Sequence, residues 1–133
     1  MPSVTVILPT WNRAEWLETA IESVLTQTFR DYELIVVDDA STDSTVEIFE
    51  RYSGKISSII FAENRGVSAA RNAAVLKSDS EWIAFLDSDD YWHPEKLQKQ
   101  IEQTKIRQGF PIHFTDEIWI RNGILVNPKK KHQ

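Results

Sequence analysis

Short apolar, β-branched runs alternate with longer amphipathic stretches along this chain, and the two periods predict its elements. Val4 to Leu8 reads as a buried strand, which Pro9 is expected to stop. Thr10-Trp11-Asn12-Arg13 forms a loop at its carboxyl end. Leu17, Ala20, Ile21, Val24 and Leu25 then recur at helical spacing, with Glu15, Glu18 and Glu22 off that face. Tyr32 to Val37 is a second buried strand and ends in Asp38-Asp39. Ala40 to Ser44 is a polar turn, and Ser44 with Glu47 has the spacing of a capping box. Val46, Phe49 and Tyr52 give the buried stripe of a second helix, which Ser53-Gly54 ends.

Ile56 to Phe61 is a third strand, followed by a turn at Glu63-Asn64-Arg65-Gly66, where Gly66 suits a positive φ. Val67 to Lys77 is an Ala-rich helix whose small residues allow close packing on a sheet. Glu81 to Leu86 is a fourth strand, ending in Asp87-Ser88-Asp89-Asp90. Pro94 suits the first position of another helix; Leu97, Ile101 and Thr104 line its inner face, Glu95 with Lys99 is an i, i+4 pair, and Gly109 ends it. Pro111 to Phe114 and Glu117 to Arg121 read as strands, and Asn122-Gly123 signals a hairpin returning through Ile124-Leu125-Val126.

Strands alternating with helices predict an α/β fold of three layers, α/β/α, around an open, mostly parallel sheet with a C-terminal β-hairpin. Parallel strands all end on one edge, where ligands of open α/β sheets bind. That edge gathers Pro9 to Arg13, Asp38-Asp39, Glu63 to Gly66 and Asp87 to Asp90. Clustered carboxylates repel one another unless a cation sits among them. A hairpin edge from Glu117 to Val126 is expected to be exposed and able to pair with a second copy.

Composition narrows the classes. The 133 residues suit one domain, spanning 1–133, with a real core. A net charge of −5 argues against a general nucleic-acid surface. There is no cysteine, so disulfides and thiolate metal sites are excluded. No apolar run approaches the roughly 20 residues of a membrane span. Val4 to Leu8 follows the start without the basic region of a signal peptide, and a cytoplasmic place is expected.

The acidic edge suits a ligand with NH or OH donors and a phosphate-bound cation. Asp39 can accept from a base NH, Asp87 from ribose hydroxyls, and Asp89 can hold Mg²⁺ or Mn²⁺ bridging two phosphates. Arg71 can offer a planar donor fork to a base carbonyl or a phosphate. A dinucleotide site is disfavoured, because Pro9-Thr10-Trp11-Asn12 stands where a G-x-G-x-x-G would follow the first strand. A G-x-x-x-x-G-K-[ST] phosphate loop is also missing.

Structural roles are expected for several neighbours. Asp38 receives backbone NH groups at its strand end, and Asp90 caps or braces its turn. His93 is helix-start scaffolding, Trp82 and Trp92 belong to the core or its rim, and Lys129 to Lys131 is a solvated tail. Trp11 either stacks on a base or covers its loop.

Five stretches in this order and spacing resemble the family 2 glycosyltransferases, inverting enzymes of the A-type fold. They are Val6 to Arg13, Ser23 to Phe29, Glu33 to Asp43, Asn64 to Asn72, and Phe85 to Asp90. The resemblance runs from about Val4 to about Leu97. It implies a nucleotide-diphospho-sugar donor, commonly a UDP-sugar, with Mn²⁺ or Mg²⁺ as cofactor. It places Pro9, Thr10 and Trp11 in the nucleoside pocket, Asp39 on the base and Arg71 near the nucleotide. Asp87-Ser88-Asp89 becomes the D-x-D motif, with Asp89 closest to the metal and Asp87 near the ribose or the metal's waters.

The implied reaction moves the sugar to an acceptor hydroxyl, on a glycan or a lipid-linked carrier at the inner face of the membrane, in polysaccharide or cell-envelope synthesis. An inverting transfer also needs a carboxylate base, which the family places well after the D-x-D motif. Asp116 and Glu117 read as hairpin-edge residues instead. The chain is therefore expected to be the donor-binding part of a longer enzyme, truncated before that base and the acceptor site. The alternatives are a sugar-phosphate nucleotidyltransferase and a nucleotide-sugar-binding module without turnover.

Overall fold

The computed structural model describes residues 2–106 and two strands beyond them, Ile112–Phe114 and Ile118–Arg121. Ten elements alternate as expected: β1 Val4–Thr10, α1 Ala14–Leu25, β2 Tyr32–Asp38, α2 Thr45–Arg51, β3 Ser57–Ile60, α3 Val67–Lys77, β4 Trp82–Phe85, α4 Lys96–Ile106, β5 Ile112–Phe114 and β6 Ile118–Arg121. The sheet order is β3-β2-β1-β4-β6-β5. β1 pairs in parallel with β2 and β4, and β2 with β3, so the first four strands end on one edge. From β1 the chain builds outward through β2 and β3, then returns to place β4 on the other side of β1. The order of connections therefore reverses between β1 and β4, which is where open α/β sheets make a crevice.

Alternation along the central strands produces the three layers. Val4, Val6 and Leu8 of β1 pack with Leu17, Ala20, Ile21 and Val24 of α1, Ile48 and Phe49 of α2, and Leu97 and Ile101 of α4. Ile7 turns to the other face, with Ile35, Val37, Ile83 and Phe85, and meets Ala70 and Ala74 of α3. A side chain reduced to one methyl lets α3 lie close on β1 and β2, as the Ala-rich sequence suggests. Trp82 and Trp92 are both buried in the first of these clusters.

Several local expectations are corrected. Pro9 does not stop β1; the strand runs on to Thr10, and Pro9 pairs with Val37. Ile7 faces β4, accepting from the Leu86 N–H at 3.0 Å, so Pro9, two residues on, faces the same side. The β4 register ends at Ile7, so the N–H that proline lacks has no ladder to serve. The capping box does not form. Ser44 has a near-helical backbone (φ −83°, ψ 18°) rather than an extended one, and its side chain makes no cap bond. Asp43 serves instead, taking the Thr45 N–H at 3.1 Å and its hydroxyl at 2.5 Å. The inner stripe of α2 is accordingly Thr45, Ile48 and Phe49, and Val46 faces solvent.

Pro94 lies in the turn before α4. Its carbonyl accepts from the Thr28 N–H at 2.9 Å, and the first helical acceptor is Glu95, bonded to the Lys99 N–H at 3.0 Å. At the far side of the sheet β6 is antiparallel to β4 and to β5. β6 thus has a neighbour on each side, and the exposed edge expected there is filled over Ile118–Arg121. Gly109, Asp116, Glu117, the Asn122-Gly123 turn, Ile124 to Val126 and the Lys129 to Lys131 run lie outside the described residues.

Candidate functional site at the carboxyl edge

A cavity of about 480 Å³ opens at the reversal point, within the size range of small-molecule sites. Pro9 and Thr10 line it from the end of β1, with Trp11 and Arg13 from the loop that follows. Asp39 enters after β2, Asn64 and Gly66 after β3, and Val67, Ala70 and Arg71 from α3. Asp87, Ser88 and Asp89 close it after β4. Every residue singled out above for a nucleotide or metal role thus lines one cavity, and Asp39 and Asp89 share it.

The two neighbouring aspartates have different partners, and Asp38 has the bracing role expected of it. Asp38 is buried at the end of β2 and accepts from Ser41, the hydroxyl at 2.5 Å and the N–H at 3.2 Å, so it braces its own turn. Asp39 is only 4% exposed and reaches across to the next loop. Its two oxygens accept the Arg65 N–H at 2.7 Å and the Gly66 N–H at 2.9 Å, and Asn64 donates to its carbonyl at 3.2 Å. Gly66 makes that turn at φ 93°, a conformation glycine adopts without strain. A carboxylate has about four acceptor sites, so two amides leave Asp39 able to accept from a ligand.

The acidic turn after β4 is held by two arginines. Arg71 donates to Asp87 at 3.1 Å, and its guanidinium lies 5.3 Å from the centre of the Phe85 ring. Arg13 pairs with Asp89 at 2.5 Å. Asp90 braces the turn, its N–H donating to the Asp87 carbonyl at 3.0 Å and its carboxylate accepting the Tyr91 N–H at 2.8 Å. His93 is scaffolding: its ring Nδ1 accepts from the Glu95 N–H at 3.3 Å and its carbonyl accepts from Gln27 at 2.7 Å. Trp11 lies on the rim, half exposed.

The loops that carry these groups are tied together. The Asn12 side chain accepts the Thr42 N–H at 2.8 Å, and the Asn12 N–H donates to the Ser41 hydroxyl at 2.8 Å. Asp43 also accepts the Ala14 N–H at 3.1 Å. Partial burial raises its pKa, but hydrogen bonds from Thr45 and Ala14 outweigh that, and the net value lies below the usual carboxylate range. Asn12 (φ 51°) and Ala40 (φ 65°) adopt the left-handed conformation, which costs a β-carbon-bearing residue about 1–2 kcal/mol. The bonds to Ser41 and Thr42 hold Asn12 there.

The donor set fits a nucleotide and a hard cation. Among the described residues, no group of three or more histidine or carboxylate side chains is gathered to hold a metal alone. Asp87 and Asp89 supply two carboxylates, which suits Mg²⁺ or Mn²⁺ completing their coordination with phosphates and water. Thr10 and Arg71 both line the cavity, and the Thr10 hydroxyl and Arg71 Nε are buried there without a hydrogen-bond partner. Sequence reasoning gave no role to Arg13, Asn64, Val67 or Ala70. Arg13 carried a signal, since it stands in the loop at the end of β1, but nothing local points it at Asp89.

Comparison with known families agrees with this geometry. The family described as glycosyl transferase family 2 matches residues 5–109. The chain belongs to that family. TuaG of Bacillus subtilis, named for glycosyl transfer in teichuronic acid biosynthesis, is 41% identical over 104 residues, covering 76% of this chain and 41% of its own length. The Escherichia coli UDP-Glc:alpha-D-GlcNAc-diphosphoundecaprenol beta-1,3-glucosyltransferase WfaP is 34% identical over 134 residues, covering 96% of this chain and 53% of its own. This family 2 domain thus spans about half the length, or less, of these curated relatives. Among solved structures, Staphylococcus aureus TarS 1-349 in complex with UDP matches with a TM-score of 0.73 and 32% identity, over 80% of this chain and 32% of that one. A mannosyltransferase from Pyrobaculum calidifontis matches with a TM-score of 0.76 at 22% identity, over 90% and 44% of the two chains, and bears on the fold alone.

Proposed function

We propose that this domain binds the nucleotide-diphospho-sugar donor, a UDP-sugar, of a metal-dependent inverting glycosyltransferase. The observation that carries the reading is the shared cavity, in which Asp39 and the Asp87-Ser88-Asp89 turn face one space at the end of β1. Asp39 accepts the base NH, Pro9, Thr10 and Trp11 line the nucleoside, and Asp87 takes the ribose hydroxyls or the metal's waters. Arg71 stands beside Asp87 and offers donors to the nucleotide. A divalent cation on Asp89 would neutralise charge on the departing diphosphate. The lining holds one more carboxyl group than guanidinium, and a dication reverses that balance in favour of a diphosphate.

The lining carboxyl groups are already engaged: Asp39 with two amides, Asp87 with Arg71, Asp89 with Arg13. We assign the acceptor's base to none of them, and read residues 1–133 as a single donor-binding unit. The lipid-linked acceptor named for WfaP suggests a comparable acceptor, reached at the cytoplasmic face of a membrane. Among the described residues no helix is long and apolar enough to cross that membrane. The family match sets a nucleotidyltransferase aside, in keeping with the glycine-free Trp11-Asn12-Arg13 loop after β1.

Calorimetry with UDP, with and without Mn²⁺, tests the reading. Binding is expected to need the metal, and Asp89→Ala is expected to remove that dependence together with at least about 1.5 kcal/mol of affinity, the worth of a charge-assisted contact. Unchanged Mn²⁺-dependent binding in Asp89→Ala would refute the D-x-D assignment. A donor hydrolysis assay beside it separates a binding module from a catalyst.

A further inference from the structure

The two arginines on the acidic turn are not equivalent. Arg71 projects from α3, and its guanidinium is set against the Phe85 ring with Nε fully buried. Its side chain is one-third exposed, and it is a fixture of the cavity wall. Arg13 sits at the N-terminus of α1, where only its backbone is committed: its carbonyl accepts the Trp16 and Leu17 N–H groups, each at 3.0 Å. Its side chain is 43% exposed and, among the described residues, pairs with Asp89 alone. Asp89 is 48% exposed, and Arg13 is likewise the only side chain paired with it. An exposed arginine held through one end can leave its partner at little cost, because such pairs contribute little.

Asp89 is also the carboxylate assigned to the cation. A guanidinium at 2.5 Å and a dication on the same carboxylate repel each other, whichever oxygen each uses. Arg13 and the cation therefore compete for Asp89. It lines the same cavity, so phosphate oxygens arriving there lie within its reach, and a guanidinium binds phosphate through two parallel hydrogen bonds.

We propose that Arg13 is the counter-charge a divalent cation displaces from Asp89, and that the donor diphosphate then receives it. The inference rests on the donor-site reading above and adds a coupling to it. The cation alone competes with Arg13 for Asp89. The nucleotide offers Arg13 a second partner and so relieves that competition. Each ligand strengthens binding of the other through one movable side chain, and the coupling is reciprocal.

The test is Mn²⁺ binding followed by electron paramagnetic resonance, with and without UDP, in the wild-type chain, Arg13→Gln and Arg13→Lys. Neutral Arg13→Gln is expected to bind Mn²⁺ alone roughly threefold to fivefold more tightly, the worth of one half-exposed ion pair. It is expected to bind UDP in the presence of Mn²⁺ more weakly, so that the enhancement of each ligand by the other shrinks. Arg13→Lys keeps the charge and is expected to keep most of the coupling, which controls for damage to the start of α1. Wild-type UDP binding with Mn²⁺ alongside unchanged Mn²⁺ affinity in Arg13→Gln would overturn this inference and leave the donor site standing. No UDP binding by the wild-type chain at saturating Mn²⁺ would overturn both.

Discussion

Asp43 shows how a residue chosen for a local turn comes to hold a site together. It caps the start of α2 and bonds the first N–H of α1 in the same stroke. Burial is the largest single influence and raises its pKa, but these bonds together outweigh it and hold the value below the ordinary 3.8. The folded state then holds the proton less tightly than the unfolded chain. Its contribution to stability is complete above 3.8 and is lost as pH falls through the lower folded value. Asp43→Asn is therefore expected to flatten the acid limb of a stability-against-pH curve below about pH 4, and urea titrations across that range would show it. Near neutrality the same variant should lose about 1 kcal/mol, as for other lost helix caps. The bracing duty of Asp38 was legible beforehand, because it closes its strand; the two backbone amides that Asp39 accepts from the turn after β3 were not. The duty of Asp43 was not, since Ser44 offered an equally good capping signal and only the backbone angles at residue 44 decide between them.

At the scale of elements, the stretch Ser23 to Phe29 gains a physical role it lacked as a motif. Gln27 is 1% exposed and bridges two helices. Its amide NH₂ donates to the Ser23 carbonyl at 3.0 Å and the His93 carbonyl at 2.7 Å, and its oxygen accepts the Leu97 N–H at 2.9 Å. One side chain thus satisfies an orphan donor in the first turn of α4 and a carbonyl of the turn before it. That turn follows Asp87-Ser88-Asp89-Asp90, so Gln27 ties the end of α1 to the start of α4 just beyond the acidic turn. Gln27→Leu keeps volume but strips three bonds from a dry site, and is expected to cost about 2–4 kcal/mol, read as a fall in the urea midpoint. Recovery of wild-type stability by Gln27→Leu would show that solvent replaces those bonds. Helical periodicity placed α1 and α4 well, because each buries one continuous face, while α3 was legible from its run of small residues. Periodicity misjudged α2, a helix of seven residues whose buried positions are Thr45, Ile48 and Phe49 rather than the expected Val46, Phe49 and Tyr52.

For the whole molecule, the sheet order is what makes a site from scattered loops. β1 lies between β2 and β4, so the ends of all three strands meet at one crevice. Asp39 links the loop after β2 to the turn after β3 there, and its removal is felt at both. Asp39→Asn must turn an NH₂ toward one of the two backbone amides it now accepts, leaving a donor facing a donor. The variant is expected to lose roughly 1–3 kcal/mol of stability, and to bind UDP more weakly even where it remains folded. Stability by urea titration and UDP affinity by calorimetry should therefore fall together. A loss confined to stability would limit Asp39 to bracing the loops.

The alternation of strands and helices, the parallel sheet and the acidic strand ends all follow from patterns of a few residues, set by burial period and turn chemistry. So does the membership of Asp39, Asp87 and Asp89 in one edge, because parallel strands all end on the same side of their sheet. Pairings between loops are another matter. Asp89 with Arg13, Asp39 with the amides of Arg65 and Gly66, and Gln27 with Leu97 join residues from 26 to 76 positions apart. No local period encodes such contacts. They exist because the packed core brings the loops within hydrogen-bond reach, and a polar group taken out of water there must find its partner among whatever the fold has placed beside it.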